Sequence, residues 1–130
     1  MAQANDFDWV TAQAACSSAS VFERLRMQIE QDVKIRQALR PKNALYDFRF
    51  VSEGKRFVVI VEGNEIYKAV RFSLSDTAID VHDAAVERPM FQASLTLGDD
   101  GECRLKVGDK EYDFWQFRKL ALEDVFFDGL

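Results

Sequence analysis

Between Leu45 and Tyr112 the chain is a series of short apolar segments separated by turn residues. Within most segments apolar and polar side chains alternate, which is the period of a strand with one buried face and one exposed face. The segments break at dipeptides such as Gly63-Asn64 and Gly108-Asp109, which are typical of hairpin turns. Because the connections are short, we expect consecutive strands to pair in order, as an antiparallel meander of six or seven strands.

A helical pattern precedes the strands over residues 21–39. Ser20 and Glu23 have the spacing of a capping box at its start, and Pro41 ends it, because the residue before a proline is disfavoured in helical geometry. The apolar positions of this helix recur every three or four residues and form one stripe: Phe22, Leu25, Ile29 and Val33. The stripe predicts that this long helix packs on the sheet.

Two shorter helices are predicted near the ends of the chain. One covers residues 7–16, and the other runs from Asp113, whose spacing to Gln116 forms a second capping box, to about Phe127. The fold class that follows is α+β, with two N-terminal helices, a curled antiparallel meander sheet packed on the long helix, and a C-terminal helix. At 130 residues, the chain is expected to form one domain over residues 1–130.

The composition excludes two broad classes of partner. The formal net charge of −5 does not suit general nucleic-acid binding, which relies on basic surface. No apolar run approaches the ~18 residues that a membrane-spanning helix needs. The first residues lack the basic region and the continuous apolar stretch of a secretory signal, so a cytoplasmic location is expected.

The residues that could carry catalysis or bind metal are few. Cys16 and Cys103 do not make the disulfide framework of a small secreted protein. They could pair if the fold brought them together, but we expect both thiols to be reduced and Cys103 to be a small core residue. His82 shares a strand face with Asp80, but this pair alone completes neither a metal site nor a catalytic centre. The chain also lacks a phosphate-binding glycine loop and a nucleophile elbow. No catalytic residue, metal site or cofactor is therefore predicted.

A candidate ligand site lies at the end of the long helix, where Asp32, Arg36 and Arg40 follow the apolar stripe. Asp32 and Arg36 are four residues apart and can pair, which makes an ion pair at the rim of the core one interpretation. In the other interpretation, the two arginines bind a carboxylate or phosphate through their guanidinium groups. The sheet residues that could complete such a site are Arg49, Tyr67 and Arg71.

A candidate interaction surface lies on the segment from Arg56 to Glu62, which departs from the alternation because it is apolar on both faces. One face belongs to the core. Val58 and Ile60 form a patch on the opposite face, flanked by Val51, and a helix or another chain is expected to cover it.

Phe126 and Phe127 extend this prediction to the C-terminal helix. Adjacent residues on a helix cannot both face one core, so one of these rings is a candidate contact with a partner subunit. The first functional hypothesis is therefore a non-enzymatic interaction module that acts as a homodimer or binds another protein.

Two further hypotheses are open. One is a carrier of a small acidic ligand, held in a cavity between helix and sheet with Arg36 at its mouth. The aromatic residues expected to line that cavity are Phe48, Phe50, Phe72 and Phe91. The other is a hydrolase or isomerase centred on His82, the single histidine of the chain.

Overall fold

The computed structural model of the protein describes residues 6–130. In this part of the chain three helices and seven strands form an α+β fold, and their bounds are as follows. The helices are α1 Trp9–Ala15, α2 Ser18–Ala38 and α3 Phe114–Phe127. The strands are β1 Tyr46–Glu53, β2 Arg56–Gly63, β3 Tyr67–Leu74, β4 Ile79–Asp83, β5 Arg88–Leu97, β6 Cys103–Val107 and β7 Lys110–Tyr112. None of the helices in residues 6–130 combines the length and the apolar character that a membrane crossing requires.

The sheet confirms the predicted meander. Its strand order is β1-β2-β3-β4-β5-β6-β7, and every neighbouring pair is antiparallel. The first hairpin turns through Gly54, whose φ of 61° is accessible to glycine without steric cost. This turn pairs Glu53 with Arg56, and so sets Val51 opposite Val58 along the β1–β2 ladder.

Both long helices pack on one face of the sheet, here called the inner face. Helix α2 contacts β1 and β3, and α3 contacts β2, β3, β6 and β7. In β2 the inner residues Phe57, Val59 and Val61 are fully buried. The alternation read from the sequence therefore assigns the buried face of β2 correctly, and the helical stripe of α2 meets it as predicted.

Aromatic rings fill the centre of the layer between helices and sheet. The ring of Phe57 lies 5.1 Å from that of Phe22 in α2, 5.4 Å from that of Phe50 and 4.8 Å from that of Phe72, measured between centroids. Phe117 of α3 continues the cluster, with its ring 6.5 Å from that of Phe72. These contacts join both helices to the first three strands.

Of the two predicted capping boxes, one is confirmed and the other is wrong. Asp113 caps α3 as expected, and its backbone N–H donates to the side-chain oxygen of Gln116 at 2.9 Å. The capping box at Ser20 is wrong, because α2 begins at Ser18 and its N-cap is Ser17, whose hydroxyl accepts from the backbone N–H of Ser20 at 3.2 Å. Several serines in a row offer more than one acceptable cap, so the spacing of residues alone does not select one of them.

The prediction of two reduced cysteines is wrong. Cys16 and Cys103 form a disulfide, with Cα atoms 5.5 Å apart and a sequence separation of 87 residues. Cys16 follows α1 as its C-cap, and Cys103 is the first residue of β6. The disulfide therefore ties the α1–α2 junction to the far half of the sheet. Composition could not reveal this, because two cysteines distant in sequence pair only if the fold brings them together.

Candidate interaction surface

The outer face of the sheet is left uncovered by both long helices, since α2 and α3 pack on the inner face. The side chains of Val58 and Ile60 point to this outer face and are half-buried, although Phe57, Val59 and Val61 beside them are fully buried. The two apolar faces of β2 thus have different surroundings in the structure. One side of the strand is core, and the other presents Val58 and Ile60 as partly exposed apolar surface within the described chain.

The cross-strand neighbours of these residues define a small patch. Val58 lies between Val51 of β1 and Arg71 of β3, and Ile60 lies between Arg49 and Ala69. Val51 is 44% exposed, so the apolar surface reaches the edge of the sheet. We call Val51, Val58 and Ile60 the outer patch.

Ion pairs border the outer patch. Arg49 pairs with Glu62 at 3.0 Å, with both side chains more than half exposed. Arg71 donates to both carboxylate oxygens of Glu87, at 3.0 and 2.9 Å. These hydrogen bonds hold the pKa of the Glu87 carboxyl below its usual range and raise the pKa of Arg71.

Strand β1 is one of the two edges of the sheet, and α2 covers part of it. Gln37 accepts from the backbone N–H of Phe48 at 2.7 Å, and Arg40 donates to the backbone C=O of Tyr46 at 2.8 Å. In an antiparallel strand the backbone groups of alternate residues point to the same side. The N–H and C=O groups of Phe50 and Ser52 therefore also point away from β2, beyond the part of the edge that α2 caps.

The predicted ligand residues do not come together. Arg49, Tyr67 and Arg71 lie on the outer face of the sheet. Arg36 belongs to α2 on the inner face, and Arg40 follows α2 at the β1 edge, where it pairs with Asp47 at 2.7 Å. The sheet stands between Arg36 and the three outer-face residues, so one small anion cannot contact all five residues at once.

Arg36 has a structural role that the sequence did not reveal. Its side chain is 8% exposed, and Nε donates to the backbone C=O of Phe126 at 2.8 Å. The guanidinium lies 4.7 Å from the ring centre of Phe48 and 5.0 Å from that of Phe127. Arg36 thus satisfies a carbonyl in the last turn of α3, where a positive charge is favoured. The predicted pairing with Asp32 is wrong.

Asp32 pairs instead with Arg118 of α3, whose Nε donates to its carboxylate at 2.7 Å. Both side chains are about a quarter exposed. Lys68 of β3 adds another contact to the end of α3, since Nζ donates to the backbone C=O of Asp128 at 2.9 Å. Arg36 and Lys68 therefore donate to carbonyl groups at the end of α3, and the pair between Asp32 and Arg118 joins α3 to α2.

Replacing Arg36 by methionine is expected to lower the free energy of unfolding by about 2 kcal/mol, because the buried C=O of Phe126 loses its donor while apolar volume is kept. The measurement is urea unfolding of the purified variant. Lys34→Met, at an exposed position of the same helix, is the control and should change the value by less than about 0.5 kcal/mol. Equal stability of the two variants would remove the capping role of Arg36.

The aromatic residues that were expected to line a ligand cavity pack against other rings. Phe48 contacts Phe126 at 5.6 Å, and Phe91 contacts Phe117 at 5.7 Å, between centroids. An open groove of about 520 Å³ lies nearby, between α2 and β1. The residues that line it are Glu30, Val33, Lys34, Gln37, Ala38, Arg40, Phe48 and Phe50.

His82 lies on the outer face opposite Arg71, and is half-buried. Asp80, its predicted companion, accepts a hydrogen bond from Gln92 at 2.7 Å. Within residues 6–130 there is no group of three or more His, Cys, Asp or Glu side chains that could hold a metal ion.

Phe126 and Phe127 face different surroundings. Phe126 is 8% exposed and belongs to the core, whereas Phe127 is 61% exposed and stacks beside Arg36. Of the two rings, only Phe127 is accessible to a partner.

No protein-family model matches the chain. No curated protein and no solved structure matches it either. A function for the chain therefore rests on the geometry of its own residues.

Proposed function

We propose that the protein is a non-enzymatic interaction module that acts as a homodimer. The observation that carries the proposal is the outer patch, an apolar surface on a sheet face that no helix of residues 6–130 covers. The patch continues to an edge strand that has unpaired backbone groups within the same residues. Apolar surface of this kind is a typical contact surface, and open edges pair readily with another strand.

A second copy of the chain is the partner that the charges favour. The whole chain carries a net charge of −5, so two copies repel at long range. Strand β1, however, presents Asp47, Arg49 and Glu53 on the same face, and therefore offers both signs to a copy of itself. Twofold dimers are also the commonest symmetric assemblies.

Sedimentation velocity of the oxidised protein tests this proposal. We expect a concentration-dependent species of twice the 14.9 kDa chain mass. A strict monomer up to high micromolar concentration would overturn the homodimer. An unrelated acidic protein of similar size, run under the same salt conditions, controls for non-ideal sedimentation.

A carrier of a small acidic ligand is the second candidate, and the open groove between α2 and β1 supports it. Lys34 and Arg40 contribute positive charge to that groove beside Val33 and Phe50. Native mass spectrometry of protein purified without denaturant should then reveal a bound anion. Wild-type protein that shows only the mass of the chain itself would end this interpretation, and an anion retained equally by Lys34→Ala would not be held in this groove.

The cytoplasmic location stays a prediction, and the disulfide bears on it. Cytosolic thiols are kept reduced, whereas structural disulfides persist in oxidising compartments. Alkylation of intact cells before lysis would report whether Cys16 and Cys103 are paired where the protein resides. Full alkylation of both residues would favour the cytoplasm, and protection of both would favour an oxidising compartment.

A further inference from the structure

We propose that two copies join edge to edge through strand β1, in an antiparallel pairing centred on Val51, to form one continuous sheet. This inference rests on the proposed homodimer and names its seam. It commits to a second copy of this chain as the occupant of the β1 edge. The grounds are the unpaired backbone groups of β1, the order of its charges, and the exposure of Val51.

The backbone groups of β1 that already have partners limit which residues can pair with a second copy. Gln37 and Arg40 occupy the N–H of Phe48 and the C=O of Tyr46, so a second strand cannot use those groups. Within residues 6–130, the residues of β1 whose outward N–H and C=O groups are both left open are Phe50 and Ser52. A twofold axis that pairs this segment with itself passes beside the residue between them.

Pairing centred on that residue satisfies the open groups reciprocally. The N–H and C=O of Phe50 exchange hydrogen bonds with Ser52 of the partner subunit, and the symmetric pair repeats the exchange. Val51 then faces Val51 of the partner subunit at a position without hydrogen bonds, where side chains approach most closely. This contact covers the exposed side chain at the border of the outer patch.

The charges of β1 fit the same alignment. With Val51 at the centre, Arg49 lies opposite Glu53 of the partner subunit, and the symmetry repeats this pair. Asp47 is brought toward Lys55 of the partner subunit in the turn that follows β1. Opposite charges on directly opposed strand positions are favourable, and they occur here in both copies.

Alignments shifted by two residues oppose like charges. A twofold axis beside Arg49 places this arginine opposite Arg49 of the partner subunit. An axis beside Glu53 places that glutamate opposite Glu53 of the partner subunit. A shift of two residues keeps every side chain on its face, so nothing else offsets the repulsion. The charge pattern therefore selects the alignment centred on Val51 among those three.

Alignments shifted by one residue are also unfavourable. An axis beside Phe50 opposes Asp47 to Glu53 of the partner subunit. An axis beside Ser52 places Arg49 opposite Lys55 of the partner subunit, in the turn after β1. Each of these contacts sets like charges opposite each other on neighbouring strands, which is destabilising. The alignment on Val51 is the one in this range that pairs opposite charges throughout.

The other edge of the sheet offers no comparable strand. Strand β7 has only three residues, Lys110–Tyr112, and α3 begins two residues after it ends. Short edge strands that carry charge are a common way to prevent further pairing. The seam is therefore assigned to β1, whose eight residues give the longer edge.

Charge reversal tests the seam. Arg49→Glu and Glu53→Arg each place like charges opposite each other twice per dimer, and we expect each to raise the dissociation constant about tenfold or more. The copy with Arg49→Glu is acidic at both positions, and the copy with Glu53→Arg is basic at both. Mixing the two variants should therefore restore a dimer that contains one of each, which native mass spectrometry separates by mass.

The mixing experiment also removes an intrachain explanation. Arg49 pairs with Glu62 of its own chain, so its reversal alone could weaken the fold rather than the seam. If each variant is monomeric alone and the two form a dimer when mixed, a weakened fold does not explain the result. Glu111→Lys, a reversal of an exposed glutamate on the opposite edge, is the matched control and should leave the dimer unchanged.

A backbone test is independent of charge. Ser52→Pro removes an N–H that points away from β2, so the β1–β2 ladder keeps all its hydrogen bonds while the seam loses a donor in each copy. We expect the proline variant to remain folded by circular dichroism and to sediment as a monomer at concentrations where Ser52→Thr is dimeric.

The outcomes separate the two proposals. A wild-type dimer that all three variants leave intact would overturn the β1 seam and keep the homodimer. A wild-type monomer would overturn both. Weakening by each single reversal, restoration on mixing and loss in Ser52→Pro would together establish the seam.

Discussion

Protein that lacks the disulfide between Cys16 and Cys103 is expected to unfold with a free energy about 4.5 kcal/mol lower than the oxidised protein. The disulfide closes a loop across a sequence separation of 87 residues, and cross-links over long loops restrict the unfolded chain most. The measurement is urea unfolding of the double variant Cys16→Ala/Cys103→Ala against the oxidised wild type. A double substitution avoids the unpaired thiol that a single one would leave.

Reduction of the wild type is the control for this prediction. If loop closure is the source of the stability, dithiothreitol should lower the free energy of unfolding of the wild type by nearly the same amount, and should not affect the double variant. A difference below about 1 kcal/mol between oxidised protein and double variant would contradict the prediction. All samples need the same protein concentration, since dissociation contributes to the apparent stability of a dimer.

Helix α1 is the element that should lose its stability first when the disulfide is removed. It has seven residues and no buried residue, and Cys16 at its C-terminal end is covalently joined to β6. A helix this short is not stable alone in water. Hydrogen exchange of the α1 amides should therefore become faster on reduction, before exchange in the β2–β3 ladder changes.

The sheet could be predicted from the sequence because its signal is local. The alternation of Val58 and Ile60 with Val59 assigns each residue to a face without knowledge of any distant contact. Hairpin turns as short as the one at Gly54 leave neighbouring strands few ways to pair except in order. The lack of a helix over the outer face does not follow from the sequence, since a strand that is apolar on both sides is ordinarily covered on both.

The ends of α2 could not be predicted in the same way. Gln37 and Arg40 cap the β1 edge because α2 ends beside that edge, which depends on tertiary packing rather than on spacing along the chain. The same is true of Asp32, which pairs with Arg118 from a helix 86 residues later. Charges that lie four apart suggest a local pair, and the fold supplies a partner from another helix instead.

The disulfide could not be predicted from the sequence either, because it also depends on tertiary packing. The count of two cysteines fitted a reduced cytoplasmic protein, and the inward alternation of Cys103 with Leu105 was consistent with a small core residue. Cys103 does contact the core, but its sulfur is joined to Cys16. A residue pattern reports which face a side chain occupies, and does not report what meets it there.

Replacing Phe57 by alanine is expected to lower the free energy of unfolding by about 4 kcal/mol, within the range that large core truncations produce. The ring is fully buried, and it is the one shared by the contacts to Phe22, Phe50 and Phe72. Its removal leaves a cavity at the point where α2 meets β1 and β3. Neighbouring rings cannot close that cavity without leaving their own contacts.

Urea unfolding of three variants checks this expectation. Phe57→Leu keeps most of the apolar volume and should cost less than half as much as Phe57→Ala. Phe127→Ala, at a ring that is 61% exposed, should cost less than about 1 kcal/mol. Similar losses in Phe57→Ala and Phe127→Ala would contradict the assignment of Phe57 to the centre of the core.

A double-mutant cycle of Phe57 and Phe72 then measures what the ring stack adds. Their centroids lie 4.8 Å apart at an interplanar angle of 14°, and stacked pairs of this kind contribute about 0.5–1.5 kcal/mol beyond area burial. Because the two residues are directly opposed on β2 and β3, a coupling in this range would tie the pairing of the strands to the packing of the core. A coupling near zero would mean that the two rings contribute through burial alone, and that the β2–β3 alignment is held by the backbone ladder.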